Sequence, residues 1–318
     1  MKQRILLNEG KMKKNTPKTQ PAMSEPTKTH TDVIKEIQRM QAQQMAKTPP
    51  VEGKQYDFTG LHLHIGLPCY GGMLYESTMT SFVQFVLLAS KLNLSWSLDT
   101  MTNESLVTRA RNNLCAKMMN NPAATHMLFI DSDIRFKPES IFQMLAAEKD
   151  IIAGLYCKKA YPLAYNINLG PQTKMQGPLF TVDTAATGFL LFRRSVYESL
   201  IKAHPETKYR DDISLGAAFV AKGEKNPYEP YMYSIFDTGI QYTTTEERDA
   251  DLAKPLDQRI GGNYLSEDWM FCRRAKALGY DIWVDGRVLL NHTGTHEFCG
   301  DLETLNASVH SRLTPPAS

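Results

Sequence analysis

Runs of apolar and polar residues divide the chain into short strand-like and longer helix-like stretches. Residues 61–67 alternate with period two and predict a first strand, broken by Pro68-Cys69-Tyr70-Gly71-Gly72. Residues 76–92 carry a helical period, 94–98 predict a second strand ending at Asp99, and 105–119 predict a second helix bearing Arg109, Arg111 and Asn112. The apolar run 127–130 predicts a buried strand that stops at Asp131-Ser132-Asp133. A helix over 138–147 and a strand over 151–156 follow. Strands alternating with helices predict a parallel sheet with right-handed crossovers.

The second half is less regular. Residues 180–183 and 188–193 predict strands and 195–203 a helix, while 208–263 read as a long loop-rich segment. Residues 266–278 predict a helix capped by Ser266, with Glu267 and Asp268 in its first turn and Gly279 at its end. Short strands over 280–284 and 288–290 precede Asn291-His292-Thr293-Gly294-Thr295-His296.

Composition changes the picture at the N-terminus. Residues 1–55 are rich in Lys, Thr, Pro and Gln and poor in aromatics, the mark of a disordered leader. One helix is expected there over 32–45, capped by Thr31 with Val33, Ile37, Met40 and Met45 as a partial apolar stripe. It reads as an appended helix or an oligomer contact. The leader holds 11 Lys and Arg against 5 Asp and Glu, whereas the rest holds 25 against 29. A basic tail on a mildly acidic body fits either a solvated leader or attraction to nucleic acid or an anionic surface. Hydrophobic content of 42% and charged content of 22% suit an ordinary globular chain of one large domain or two. No apolar run approaches the roughly 20 residues of a membrane span. Five scattered cysteines with no C-x-x-C pair argue against a disulfide framework or a zinc site and for a reducing, cytosolic setting.

The chemistry concentrates where the third strand surfaces. Carboxylates at Asp131 and Asp133, beyond the end of a buried strand, can hold Mg²⁺ or Mn²⁺, and such an ion can neutralise a diphosphate. The same pair also fits an acidic turn. Glu267 and Asp268 serve equally as helix-capping acids or, in the field of a helix N-terminus, as a base in its ionised form. Arg109 and Arg111 suit a diphosphate or a solvated helix face. Lys158 and Lys159, after a strand end, are within reach of phosphate as well. Tyr70 offers a stacking surface, and Asp99 either meets a base or ribose or ends its strand. A P-loop and a dinucleotide fingerprint are both absent from the first loop.

Four pieces in order then carry a resemblance: GLPCYGG after the first strand, Asp131-Ser132-Asp133, Thr187-Gly188-Phe189-Leu190 entering a strand, and Glu267-Asp268-Trp269 followed by His292. From about residue 61 to 302 the body resembles a metal-dependent glycosyltransferase of the GT-A type, most like those of bacteriophages and large viruses. The resemblance implies an α/β fold, Rossmann-like, with a mostly parallel central sheet, flanking helices and a second small sheet. It implies a nucleotide-binding half at 56–157 and an acceptor half at 158–318. The donor would be a nucleotide-diphosphate sugar, UDP-sugar foremost, with Mn²⁺ favoured over Mg²⁺ because an imidazole joins the carboxylates. Asp133 and His292 would be metal ligands, with His296 competing for the second place. Asp131 would meet the metal, the sugar or the ribose. Tyr70, Asp99, Arg109 and Arg111 would bind the donor, and Asp183 and Thr187 would line the acceptor pocket.

Asp268, with Glu267, would take the acceptor proton if the enzyme inverts; if it retains, Asp268 would contact substrate without being the base. The acceptor would be a hydroxylated base in phage DNA, a glycan or a protein, in the host cytoplasm if the source is viral. Two rivals share the motif: a nucleotidyltransferase, which would need a glycine-rich loop with a basic residue near the first strand, and a sugar-binding protein on a degenerate GT-A scaffold. A dehalogenase-type phosphatase is set aside because its D-x-D follows the first strand and has Thr or Val where Arg135 stands.

Overall fold

The apolar run at the end of which the two aspartates lie becomes a central strand of one eight-stranded sheet. A computed structural model describes residues 57–211, 213–294, 297–299 and 301, so the leader, its expected helix and His296 lie outside the described residues. The strands are β1 (His62–Cys69), β2 (Ser95–Thr102), β3 (His126–Ile130), β4 (Ile134–Arg135), β5 (Ile151–Leu155), β6 (Ile167–Asn168), β7 (Met175–Gln176) and β8 (Leu179–Val182). They continue with β9 (Thr184–Ala185), β10 (Phe189–Arg193), β11 (Gly239–Gln241), β12 (Asn263–Leu265), β13 (Ile282–Leu289), β14 (Asn291–Thr293) and β15 (Glu297–Cys299). The helices are α1 (Glu76–Lys91), α2 (Val107–Asn120), α3 (Pro138–Ala146), α4 (Arg194–Ala203), α5 (Ala217–Lys222), α6 (Thr245–Leu252) and α7 (Glu267–Ala277).

The large sheet has the order β2-β1-β3-β10-β5-β13-β8-β7. Most of its strands run one way, but β10 is antiparallel to both β3 and β5, and β8 is antiparallel to β13. The mostly parallel sheet that was expected is therefore present, with β10 and β8 as its two reversed strands and with strands from both sides of residue 157 interleaved. The reversal of β10 brings its entry loop, rather than its exit, to the acidic turn. Its first residue, Phe189, pairs with the last residue of β3, Ile130, so Thr187-Gly188 arrive at the edge where the aspartates emerge.

Both faces of the sheet are covered, which is why β3 and β10 read as continuous apolar runs rather than alternating ones. Met127, Phe129, Leu190 and Phe192 pack on one side with Leu114 and Met118 of α2, Val196 of α4 and Phe271 of α7. Leu128, Ile130, Phe189 and Leu191 pack on the other with Phe82 and Phe85 of α1 and Phe142 of α3.

Other boundaries move for local reasons. β1 runs through Pro68 to Cys69: β3 pairs with it only as far as Gly66, so the proline sits where β1 has a neighbour on one side alone. β2 continues past Asp99 to Thr102, because Asp99 pairs in register with Gly66. The two short strands expected over 280–290 merge into β13, which stays paired to β5 across a register shift between Val284 and Leu289. The segment expected to be a loop over 208–263 contains α5, α6, β11 and β12. Asn112 anchors it, with Nδ2 donating to the Phe236 carbonyl at 2.7 Å and Oδ1 accepting from the Phe236 N–H at 2.9 Å. Asn113 adds a 2.8 Å hydrogen bond to Asp211. No helix among the described residues is long and apolar enough to cross a membrane.

His126, buried on β3, has its imidazole pushed down to about 4 from an ordinary 6.5 by burial and then by the charge of Arg193. Burial also lowers His64 on β1. A depressed folded-state value means the unfolded chain binds more protons between roughly pH 6.5 and 4. Stability from these neutral histidines is present above 6.5 and is lost as pH falls through that window. The melting temperature is expected to drop between pH 7 and 5, and His126→Gln to recover on the order of 2 kcal/mol of that loss at pH 5. Parallel pH profiles for the two proteins in thermal melts would refute this.

Candidate active site at the carboxyl edge of the sheet

Asp131 to Ile134 form a tight turn, closed by the Ile134 N–H donating to the Asp131 carbonyl at 3.1 Å. Three distant segments hold it in place. The Asp131 N–H donates to the Gly188 carbonyl (2.9 Å), the Tyr75 N–H to the Ser132 carbonyl (3.0 Å) and the Thr293 N–H to the Asp133 carbonyl (2.8 Å). Backbone bonds of this kind fix the turn without using either carboxylate.

Immediately after the turn, β4 joins a three-stranded sheet with β14 and β15, and His292 pairs in register with Ile134. That pairing sets His292 Nε2 3.5 Å from Asp133 Oδ1. The other ring nitrogen, Nδ1, lies 2.9 Å from the Cys157 carbonyl oxygen, to which it can only donate, so Nε2 is left as the acceptor in the neutral ring. The Tyr156 ring meets the imidazole edge-on at 5.1 Å. Asp133 Oδ1 is buried with no hydrogen-bond partner, while Oδ2 pairs with Lys159 Nζ. Burial raises the Asp133 carboxyl, but His292, when its ring is protonated and Nε2 donates, and Lys159 outweigh it and leave it below the usual carboxylate range.

Two lone-pair donors facing each other across 3.5 Å, one of them orphaned, form an arrangement that a cation between them would satisfy. Oxygen plus imidazole suits Mn²⁺ or Mg²⁺. Among the described residues no group of three or more His, Cys, Asp or Glu is arranged for a metal. A two-residue set is still enough for an ion that keeps waters and takes further oxygens from a phosphate.

Asp131 faces elsewhere. Its Oδ1 accepts from Arg111 Nη2 at 2.9 Å, and Arg111 Nε reaches Glu267 Oε1 at 3.3 Å. The Arg111 side chain is only 3% exposed and lies over the Phe129 ring at 5.1 Å. Burial opposes its charge, yet the two carboxylates keep it firmly protonated. Where Arg111 was expected to meet a diphosphate, its guanidinium bridges the D-x-D turn to the first turn of α7 through Nη2 and Nε, and its Nη1 is buried without a partner. Asp131 likewise belongs to Arg111 rather than to the Asp133–His292 pair. Its Oδ2 lies over Gly188, where an added methyl would come within 2.8 Å of it and 2.5 Å of the Tyr156 hydroxyl. A side chain at residue 188 would displace the turn, which accounts for the small residue in that motif.

The remaining expected residues are scattered by the fold. Arg109 points away from Arg111, two residues along one helix, and is held bidentately by Glu104 at 2.7 Å. Asp99 lies within β2, tied to Lys117 at 2.9 Å and near His64 at 3.4 Å. Tyr70 is 71% exposed on the loop after β1, at the same sheet edge as the aspartates. Thr187 is buried, so it does not line a pocket. Asp183 is paired with Lys276 of α7. Ser266 does not cap α7 through its side chain; its hydroxyl donates to Asp268 Oδ1, which also accepts from the Trp269 N–H at 2.8 Å. The Asp268 carboxyl is raised, first by burial and then by neighbouring Glu267, against the pull of Ser266. Burial thus outweighs the helix-end field that was expected to lower it.

Tyr156 and the Cys157 carbonyl were not foreseen. Their signal in the sequence is no more than two residues at a strand end, and only the fold brings them to His292. A cavity of about 340 Å³ lined by Glu76, Ser77, Thr80, Arg135 and Asn291 lies between α1 and the small sheet, apart from these residues.

Because Arg111 neutralises two carboxylates in a buried setting, Arg111→Met is expected to destabilise the fold by about 3 kcal/mol. Urea denaturation at pH 7 measures this, and a change under 1 kcal/mol, the range of an exposed pair, would refute the bridging role.

No model of a known protein family matches the chain, and no curated protein matches it. Solved structures do. A197 from STIV aligns with a TM-score of 0.39 at 11% identity, over 74% of this chain and 86% of that one. The 4-diphosphocytidyl-2C-methyl-D-erythritol synthase from Anaerococcus prevotii DSM 20548 aligns with a TM-score of 0.29 at 7% identity, over 53% and 86%. HddC from Yersinia pseudotuberculosis aligns with a TM-score of 0.27 at 11% identity, over 50% and 85%. The fold class rests on the strand order and helix layers of the chain itself, an α/β, Rossmann-like mixed sheet with helices on both faces.

Proposed function

We propose that this chain is a metal-dependent glycosyltransferase that moves a sugar from a nucleotide-diphosphate sugar, UDP-sugar foremost, to a hydroxyl acceptor. One observation carries the reading: an orphaned, buried Asp133 oxygen faces the acceptor nitrogen of a histidine whose other nitrogen is already held by a backbone carbonyl. Asp133 and His292 would hold Mn²⁺ or Mg²⁺, and the Cys157 carbonyl keeps His292 in the tautomer that can ligate. Such an ion supplies the positive charge that a departing nucleoside diphosphate requires.

The chain's own groups divide the rest. Arg111 orients Asp131 toward the donor sugar or ribose and Glu267 toward the acceptor side. Asp268, with its carboxyl raised by burial, accepts the proton of the acceptor hydroxyl. Exposed Tyr70 stacks on the base of the donor. The nucleotidyltransferase reading is less well supported, because LPCYGGM after β1 carries no basic residue to grip a triphosphate. The basic leader is compatible with DNA as the acceptor, while the mildly acidic body fits a glycan or protein acceptor as well.

Incubation of the protein with UDP-, GDP- and dTDP-sugars, with and without Mn²⁺, tests the reading. Metal-dependent release of nucleoside diphosphate is expected, with Asp133→Ala lowering it by about 100-fold or more while leaving the melting temperature near that of the wild type. Release that ignores both metal and Asp133 would overturn the proposal.

A second measurement concerns the base. A raised Asp268 must lose its proton before it works, so kcat/KM is expected to fall on the acid side at a pH above the ordinary aspartate value of 3.8. Asp268→Asn should cost about 10²- to 10⁴-fold in transfer and abolish that acid limb. An unchanged limb in the variant would assign the proton to another group.

A further inference from the structure

This inference rests on the reading of Asp133 and His292 as a divalent-cation pair. We propose that Lys159 and the divalent ion exclude each other at Asp133, and that the displaced ammonium moves onto the diphosphate of the donor. Lys159 would then be a positioning cation that couples ion binding to donor binding.

Asp133 divides its oxygens between two tasks. Oδ2 pairs with Lys159 Nζ, and Oδ1, buried and unpartnered, faces His292 Nε2 at 3.5 Å. A carboxylate carries one negative charge. An ammonium and a divalent ion on the same carboxylate repel each other at short range, in a partly buried place where solvent screens them poorly. The side chain that can leave is the lysine. Its stem is flexible and one-third exposed, while the backbone around it is pinned by the Lys158 N–H donating to the Ala164 carbonyl at 2.8 Å and by the bridge between Cys157 and Tyr165. The ammonium therefore swings with its Cα held still.

The destination is dictated by charge. A diphosphate beside the Asp133–His292 pair needs cations, and the arginines expected there are largely engaged: Arg109 by Glu104, and Arg111 by Asp131 and Glu267, with its one unpaired nitrogen, Nη1, buried. Lys159 lies next to the pair, on a side chain able to turn toward a phosphate oxygen. The exchange also explains why a charged lysine stands against the oxygen set that a cation should take. It balances Asp133 until an ion takes the oxygen and the donor takes the lysine.

The exchange makes two predictions of opposite sign for Lys159→Met, with Lys159→Gln as a second variant, in the full chain. With Mn²⁺ alone, followed by loss of the free-ion electron paramagnetic resonance signal, the variants should bind about fivefold more tightly than wild type. With magnesium pyrophosphate, a diphosphate without a base, calorimetry should show binding about fivefold weaker. Lys159→Arg, which keeps the charge, should restore much of the pyrophosphate affinity. A lysine that merely stabilises the local fold would weaken both; one that never leaves Asp133 would leave pyrophosphate binding unchanged. Either result overturns the exchange. The underlying reading fails separately: if wild type and Asp133→Asn bind Mn²⁺ equally, Asp133 is not a ligand and both proposals fall. If Mn²⁺ binding needs Asp133 but ignores Lys159, the exchange alone is lost.

Discussion

The pairing of β4 with β14 is the constraint on which the site depends. Two residues of β4 come directly after the D-x-D turn, and three residues of β14 come after the end of β13. When these short strands align, His292 falls opposite Ile134, one residue from Asp133. The Thr293 N–H then closes on the Asp133 carbonyl, so the same ladder that brings the histidine also anchors the turn. So short a ladder would not persist alone in water; it is held because β13 and β3 are fixed in the same large sheet and deliver both ends.

A second constraint is electrostatic. Arg111 lies on α2, beneath the carboxyl edge of the sheet, and ties Asp131 to Glu267 across a sequence distance of 136 residues (131 to 267). A buried guanidinium is tolerable because two carboxylates and the face of Phe129 surround it. Its effect is to keep the start of α7, and with it Asp268, next to the D-x-D turn. The metal half and the base half of the proposed chemistry are therefore not independent loops. They share one cation, and the antiparallel β10 slots Gly188 between them, where only a residue without a side chain fits.

Much of this was visible in the order of residues. The apolar run before Asp131 could only be a buried strand, the spacing of Asp131 and Asp133 put both at its exit, and the acids after Ser266 announced a helix start. Asp133 and His292 were paired from a resemblance carried by four short motifs, and they lie 3.5 Å apart. What the residues did not disclose is where each charged side chain would point. Arg109, Arg111 and Asn112 stand within four residues of one helix, yet they point to Glu104, to Asp131 with Glu267, and to the Phe236 backbone. A helix turns about 100° per residue, so neighbours in sequence diverge, and partners from residues 104 to 267 choose among them.

The chain's local chemistry was enough to specify most strands of the large sheet, its longer helices and the acidic turn, because hydrophobic period and turn-forming residues act over a few positions. The direction of β10, the neighbour of His292, the engagement of Arg111 and the burial that raises Asp268 were set by packing. Each depends on partners far along the chain, and no short-range pattern encodes which partner a buried charge will meet.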